Sequence, residues 1–384
     1  MVPLLLALVL LWALKTGSGR DVALAQVARF LPPDALSWRN AEGSLVGGLI
    51  LHDVRYTADG MAVELARVEL DVAGAALLAG NVHVRHLLLA DGRVVLPVSE
   101  DEPAPPPERI ELPDSLPDLL LPVNVRVDAL EARNIAVVQG EESVFVLHQM
   151  KAAGALANGV VELRGLELDS DRVVMTLEAA IDTARNWASD VVMQGNIALE
   201  GVPPLPVTLR LQGDLDDLRL DAQADAGQPV TLKFNAHGGL PNPNWTLQLD
   251  APQLLPERLG ISGEAMVLAL SGEGDLAQAH LSGHFAQGAL EVTLAPSQVA
   301  YRDTTLTLAP LGLGLYDGVV EASGDIDLSQ ADPHLALVLA WRDITLPAAD
   351  GAPSVRTRGE ARASGPLEAY ALTLDGVFAR DQEQ

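Results

Sequence analysis

Two pairs of closely spaced histidines are the residues that could most readily do chemistry. His83 and His86 are separated by Val-Arg, and His280 and His284 lie four residues apart. Two imidazoles share a metal ion only when both project from the same side of an element. Residues three apart on a strand point to opposite faces, and the sequence Leu-Ser-Gly-His-Phe around His284 predicts a strand or turn instead of the helix that a four-residue spacing suits. We therefore expect no metal site.

Three aspartates could act as general acids, namely Asp53, Asp169 and Asp171. Hydrolysis of a glycosidic bond needs a second carboxylate opposite the first, and the sequence places none against any of the three. Asn244-Trp-Thr246 fits the N-glycosylation acceptor pattern, but the tryptophan belongs to a strand-like alternation, which favours a structural role. The sequence indicates no catalytic residue and no cofactor, so we expect a protein that is not an enzyme.

Composition excludes further classes of function. Lys and Arg number 25 against 52 Asp and Glu, which gives a net charge of −27. Without a basic cluster to neutralise phosphates, we expect no binding to nucleic acid. Cysteine is absent, which rules out disulfides and thiolate chemistry. Hydrophobic residues make up 48% of the chain but aromatic residues only 4%, which indicates a large aliphatic surface.

A two-residue period of apolar and polar side chains dominates from Leu49 onward. This period is typical of strands with one apolar and one solvated face. Asp59-Gly60, Asp91-Gly92, Asn158-Gly159 and Asp317-Gly318 predict hairpin turns between antiparallel strands. The clearest apolar positions, and the candidates for a binding groove, are Val123, Val125, Val127, Val207, Leu209, Leu211, Val230, Leu232, Phe234, Trp245, Leu247 and Leu249.

A long sheet with one apolar face must cover that face. The scarcity of aromatic residues argues against a sandwich core and against an outer-membrane barrel with aromatic girdles. The remaining arrangement is an elongated sheet that curls, so that its apolar face lines an open groove. Acyl chains suit such a groove, because each buried methylene contributes about 0.8 kcal/mol. An ordinary sandwich core stays open as the alternative.

The first residues predict a membrane segment. Val2 to Leu14 is an apolar run, shorter than the ~20 residues that usually span a bilayer. We expect an anchor with residues missing upstream; a cleaved signal peptide and a buried core helix are the alternatives. A short helix with apolar residues at Val22, Ala25, Val27 and Phe30 follows. The anchor candidates are Val2, Leu5, Leu8, Leu11 and Trp12.

One stretch of the sequence carries a family resemblance. The pattern G-S-L-x-G-G-L-x-L-x-D-V-x-Y from Gly43 to Tyr56, A-L-L-A-G from Ala76 to Gly80, and V-x-L-P from Val94 to Pro97 together resemble the N-terminal part of the TamB family, within the AsmA-like group. The resemblance implies a single-pass protein of a bacterial inner membrane whose body lies in the periplasm as a curled antiparallel sheet. It also implies phospholipid transport to the outer membrane, assistance to protein assembly there, and TamA, an outer-membrane barrel, as partner.

These observations give a predicted layout in four parts. Residues 1–20 form the anchor, 21–100 a helix and β unit, 101–122 a linker rich in proline, and 123–384 the elongated groove array. Members of the family are generally longer and end in a domain that meets TamA, so we expect a truncated or split product. The alternative function is an extracytoplasmic β scaffold, similar to an adhesin, with a self-covered core and no lipid cargo.

Overall fold

The computed structural model describes residues 16–17, 20–21, 24, 35–58, 60–97, 112–140, 142–199, 201–330, 332–346 and 355–380. Within them the chain is all-β, as predicted, with 22 strands. The anchor candidates Val2, Leu5, Leu8, Leu11 and Trp12 lie outside the described residues. Among the described residues, no helix has both the length and the apolar character needed to cross a membrane.

The chain forms two compact units, and the first contains Met1–Glu100, Pro117–Leu199 and Pro206–Arg210. A short helix, α1 (Gly74–Leu78), lies between the strands Met61–Val72 and Val82–Leu96. The strands of this unit are β1 (Leu36–Ser37), β2 (Asn40–Ser44), β3 (Gly48–Ala58), β4 (Met61–Val72), β5 (Val82–Leu96), β6 (Val125–Gln139), β7 (Glu142–Ala157), β8 (Val160–Ser170), β9 (Val173–Asp182) and β10 (Ala188–Ile197).

Pairing in the first unit is antiparallel with one exception. β1 and β2 both pair with β3, and from β3 to β10 each strand pairs with the next. β5 and β6 pair in parallel, so the prediction of a purely antiparallel sheet is wrong at this pair. A parallel pair needs a long crossover instead of a tight hairpin, and the chain from Pro97 to Asn124 provides it.

One predicted turn is also wrong. Asp91-Gly92 lies inside β5, where Asp91 has a φ of 56° and no strand partner on β4, since Ala90 and Gly92 pair with Arg67 and Leu65. One residue lies between these pairs on each strand, Asp91 on β5 and Ala66 on β4, so the register is kept and Asp91 is a left-handed irregularity inside the strand. A hairpin turn and such an irregularity both use a left-handed residue, which is why the dipeptide alone did not distinguish them. Asn158-Gly159 does connect two strands, as predicted.

The first unit has a buried aliphatic core. Leu49 is 2% exposed and belongs to a buried cluster with Leu51 and Val54 of the same strand and Leu65 of β4. Leu24, which is helical, packs in the same cluster. Gly17, Arg20 and Asp21 are also helical, but Val22, Ala25, Val27 and Phe30, on which the prediction of a short helix rests, lie outside the described residues.

The second unit contains Asp101–Leu116, Glu200–Leu205 and Leu211–Gln384, and from β12 to β22 each strand pairs antiparallel with the next. Short 3₁₀ helices lie at Pro256–Leu259 and Leu367–Ala369. The strands are β12 (Asp217–Asp225), β13 (Pro229–His237), β14 (Asn244–Leu254), β15 (Met266–Gly274), β16 (Gln278–Gln287), β17 (Leu290–Arg302), β18 (Thr305–Leu315), β19 (Gly318–Asp327), β20 (His334–Leu346), β21 (Val355–Pro366) and β22 (Ala371–Arg380).

The two units divide along the chain between Leu199 and Leu211. β11 (Leu205–Gly213) spans this division, with residues in both units. The sequence predicted a boundary at residues 101–122 instead. That boundary stays a prediction, because residues 98–111 lie outside the described part of the chain; the described residues 112–124 contain no helix or strand.

We expect Gly324→Ala to destabilise the second unit strongly. Gly324 has a φ of +127°, and an added Cβ would lie 2.0 Å from the carbonyl oxygen of Ala336. Unfavourable backbone conformation alone costs about 1–3 kcal/mol, and the contact with the neighbouring backbone adds to it. Gly365→Ala is the matched control, since its φ is +107° but its nearest neighbour is at 3.6 Å. Urea unfolding that shows equal losses in both variants would contradict the role of the contact.

Candidate functional site

The predicted groove residues of β13 and β14 share one face of the second unit. Leu232 lies directly opposite Leu249, and Phe234 lies opposite Leu247. Residues directly opposite in an antiparallel pair point to the same side of the sheet. The alternation therefore produces a joint apolar surface, as the sequence predicted for this pair of strands.

The same face continues from β12 to β22 through directly opposed residues. We call it the apolar face of the second unit. Its larger side chains are Leu218, Leu220, Val230, Leu232, Phe234, Trp245, Leu247, Leu249, Leu268, Leu270, Leu281, Phe285, Val292, Leu294, Val299, Leu306, Leu308, Leu311, Leu313, Val320, Ile326, Leu335, Leu337, Leu339, Trp341, Leu372, Leu374 and Phe378.

Three residues with hydroxyl groups lie on this face. Tyr301 lies opposite Leu306, and the other two, Ser297 and Thr357, are hydrogen bonded. Ser297 lies opposite Leu281 and accepts a hydrogen bond from the backbone N–H of Gly312 at 3.0 Å. Thr357 accepts one from the indole N–H of Trp341, also at 3.0 Å. Because both are buried and paired, neither offers a free polar group to a ligand.

The apolar face is half-exposed, which distinguishes it from an ordinary core. Leu232, Phe234, Trp245, Leu247 and Leu249 all have intermediate exposure. Side chains between the layers of a sandwich are normally buried. The opposite side of the same strands is charged and polar, as with Lys233 and Gln248, which are exposed. The described strands thus present one solvated polar face and one apolar face that remains accessible to solvent.

The remaining predicted groove residues lie on other strands. Val125 and Val127 of β6 lie beside Val82 and Val84 of β5, on the apolar face of the first unit. Val123 precedes β6 by two residues and is half-exposed. On β11, Val207, Leu209 and Leu211 are half-exposed and alternate with exposed Thr208 and Arg210. Their joint membership of one groove stays a prediction.

A scan against protein-family models finds a match over most of the chain. The model described as "TamB, N-terminal domain" matches residues 5–115 and 108–331. The chain belongs to the TamB family. A search of curated proteins and a search of solved structures each found no match.

The sequence analysis identified the apolar face of the second unit only as far as β14 and missed its continuation in this TamB-family chain. Leu335, Leu337 and Leu339 alternate with Ala336, Val338 and Ala340, so the polar half of the alternation is missing there. Bulges between Leu294 and Ser297 on β17 and between Leu308 and Leu311 on β18 shift the period elsewhere. A search that allowed one extra residue per bulge could have found these strands.

The histidine pairs have structural partners. His83 lies 2.6 Å from a carboxylate oxygen of Asp128, and His86 lies 3.9 Å from one of Glu131. The argument that His83 and His86 must point to opposite faces is wrong, because a bulge on β5 between Val84 and His86 shifts the alternation. Even so, the described residues contain no group of three or more His, Asp or Glu side chains able to hold a metal ion.

The candidate general acids also have structural roles. Asp53 has a φ of 54° and forms an ion pair with Arg39 at 3.1 Å. Asp171 accepts a hydrogen bond from the backbone N–H of Val146 at 2.8 Å. Asp169 lies 3.6 Å from His148. These contacts hold neighbouring strands and loops together. Asp53 also lines a surface cavity with Glu64 and Asp91, and Asp169 lines another with Glu167.

The contacts of Asp128 predict a pH effect on stability. The Arg126 guanidinium, which donates to Asp128 at 2.7 Å, and the ring of His83 hold the pKa of that carboxyl below its usual value. A lowered carboxyl pKa stabilises the fold above the unfolded-state pKa, and the contribution is lost as pH falls through the folded-state pKa. We therefore expect Asp128→Asn to lower the thermal midpoint at about pH 7. Between about pH 7 and about pH 3, the midpoint of this variant should fall less than that of the wild type.

The matched control for this experiment is Glu167→Gln. Glu167 is an exposed carboxylate of β8 in the same unit and forms no ion pair with another described residue. We expect this variant to show the wild-type difference between the two pH values. An Asp128→Asn protein that follows the wild type at both pH values would contradict the role of Asp128.

Proposed function

We propose that this TamB-family chain shields the acyl chains of phospholipids on the apolar face of its second unit, within a curled groove. The observation that carries the proposal is the half-exposed aliphatic face that continues from β12 to β22. Such a surface recognises flexible aliphatic chains by area alone. Its buried hydroxyls, those of Ser297 and Thr357, are already paired, so they offer no contact to a small polar substrate.

The energetics favour lipid as the ligand. Roughly ten methylenes buried on the face contribute about 8 kcal/mol at about 0.8 kcal/mol each. Association itself costs an estimated 4 to 15 kcal/mol or more. The gain from ten methylenes lies within the range of this cost, so binding through such a short segment is weak and readily reversed, as a protein that passes lipid along a surface requires. Tighter binding would hold the lipid in place.

The proposed setting is the space between two bacterial membranes. The apolar residues Val2, Leu5, Leu8, Leu11 and Trp12 would hold the chain in the inner membrane, with its body in the periplasm. Phospholipid transport to the outer membrane, protein assembly there, or both would be the cellular role, with a TamA-like outer-membrane barrel as partner. Membership of the TamB family supports this setting.

A β scaffold without lipid cargo is the second candidate. The buried cluster around Leu49, Leu51 and Leu65 favours it, because the first unit covers part of its own apolar face. The two candidates differ in what the second unit does with its accessible face. Only the lipid-binding function requires that face to be occupied by something other than protein.

Mass spectrometry of the purified protein tests the proposal. The full chain, expressed in a bacterium with two membranes, is extracted with organic solvent and its phospholipid is counted against protein. We expect at least one phospholipid per chain. A folded, stable protein free of phospholipid would contradict the lipid function and favour the scaffold.

A further inference from the structure

We infer that phospholipid bound at β12 to β15 has a fixed polarity, with its headgroup beside Trp245 and its acyl ends at the opposite ends of these strands. This inference rests on the proposed lipid-binding function. We call the edge of the sheet at the start of β14 and the end of β15 the Trp245 margin. We call the opposite edge the closed margin; it contains the ends of β12 and β14 and the residues that follow each.

Trp245 gives its margin an amphipathic character. It is the first apolar residue of β14 and is half-exposed. Its indole N–H donates to the carbonyl oxygen of Asp275, in the turn after β15, at 2.9 Å. The indole thus has its polar atom at the strand end and its apolar body on the face. Tryptophan takes this orientation where hydrocarbon meets lipid headgroups.

Glycine lets the ring lie flat along the sheet. Gly272 lies on the strand next to Trp245, two residues from the residue directly opposite it. A Cβ added at Gly272 would lie 3.1 Å from the indole. The ring therefore lies over the glycine, where a side chain on the neighbouring strand would contact it.

The opposite margin is closed by apolar residues. Ala251 is 1% exposed and Ala226 is 2% exposed. The backbone N–H of Leu255 donates to the carbonyl oxygen of Ala226 at 2.8 Å, and the side chain of Leu255 packs over Gly227. Pro256 is buried as well. A charged headgroup at this margin would lose its hydration without gaining partners.

The cation at the closed margin is already engaged. Arg258 donates to the carbonyl oxygens of Pro204 and Asp225, at 3.4 and 3.5 Å. Both contacts are made by Nη2, so the backbone carbonyls occupy this nitrogen. Together with the buried apolar residues of the closed margin, this favours the Trp245 margin for the headgroup.

The distance between the margins suits one acyl chain. Trp245 and Ala251 are six residues apart on β14, which corresponds to roughly 20 Å at about 3.4 Å per residue. One leaflet of a bilayer is about 15 Å thick, half of a hydrocarbon core of about 30 Å. The hydrocarbon of one acyl chain is therefore somewhat shorter than the face between Trp245 and Ala251, so a chain that lies along the strands with its ester beside Trp245 fits within the face and ends before the closed margin.

Fluorescence quenching by brominated phosphatidylcholine tests the polarity. One variant of the full chain keeps Trp245 and replaces Trp12, Trp38, Trp187 and Trp341 with phenylalanine. Its matched partner also carries Trp245→Phe and Leu249→Trp, which moves the fluorophore four residues along the same face, roughly 13 Å. Each is loaded from vesicles whose lipid is brominated either near the ester or near the methyl end. The same variants with Leu247→Asp, which is expected to abolish lipid binding, measure the background quenching caused by the vesicles alone.

We expect lipid brominated near the ester to quench Trp245 at least twofold more than lipid brominated near the methyl end, and the order to reverse for the tryptophan at 249. The opposite order, or equal quenching by both lipids, would overturn the polarity while leaving acyl binding intact. Folded protein whose quenching by either lipid equals that of the Leu247→Asp background would refute lipid binding itself. If the Leu249→Trp variant does not fold, the two lipids still decide the outcome at Trp245.

Discussion

Leu247→Asp is expected to yield a folded protein that has lost most of its phospholipid. Leu247 lies on the apolar face between Phe234 on one neighbouring strand and Gly272 on the other, well inside β14 and away from both of its ends. A carboxylate at this point would have to be desolvated beneath an acyl chain, which is strongly unfavourable. Because the side chain is half-exposed in the protein itself, the fold without lipid keeps the carboxylate in contact with water.

The measurement counts phospholipid per protein by mass spectrometry and follows folding by circular dichroism. We expect a fall of at least tenfold in phospholipid, with the β-sheet spectrum retained. Gln248→Asp is the matched control, one residue along the strand on the polar and exposed side, and should keep its lipid. Full lipid content in Leu247→Asp would show that the apolar face is not the binding surface. Equal lipid loss in both variants would show that added charge alone is responsible.

The alternation of side chains made the strand faces predictable. Leu232 and Leu249, chosen from spacing alone, lie directly opposite one another. A two-residue period determines which face each residue occupies once strands form. The family was also recognisable from the glycine-rich segment that begins at Gly43, and the family match includes this segment.

Long-range pairing was not predictable in the same way. The parallel pair of β5 and β6 joins residues about forty positions apart, such as Val82 and Val125. Nothing local to either strand specifies that partner. The difference in burial between Leu49 and Leu249 also depends on what packs above each side chain. Leu49 is flanked by Gly48 and Ile50, and Leu249 by Gln248 and Asp250. Neither pair of neighbours specifies what packs above the leucine, so the pattern alone cannot separate core from binding surface.

That difference in burial predicts opposite outcomes for two chemically identical substitutions. Leu49→Ala is expected to lower the free energy of unfolding by about 2–5 kcal/mol, because Leu49 is 2% exposed within the core cluster of the first unit. Leu249→Ala is expected to cost less than about 1.5 kcal/mol, since its half-exposed side chain leaves no closed cavity.

Lipid content should respond in the reverse order: Leu249→Ala should lose phospholipid, and the folded fraction of Leu49→Ala should keep it. Urea unfolding and lipid analysis of the same preparations measure both quantities. If Leu249→Ala instead destabilised the protein as much as Leu49→Ala and left its lipid content unchanged, the face of the second unit would be a core like that of the first, and the scaffold would be the better account.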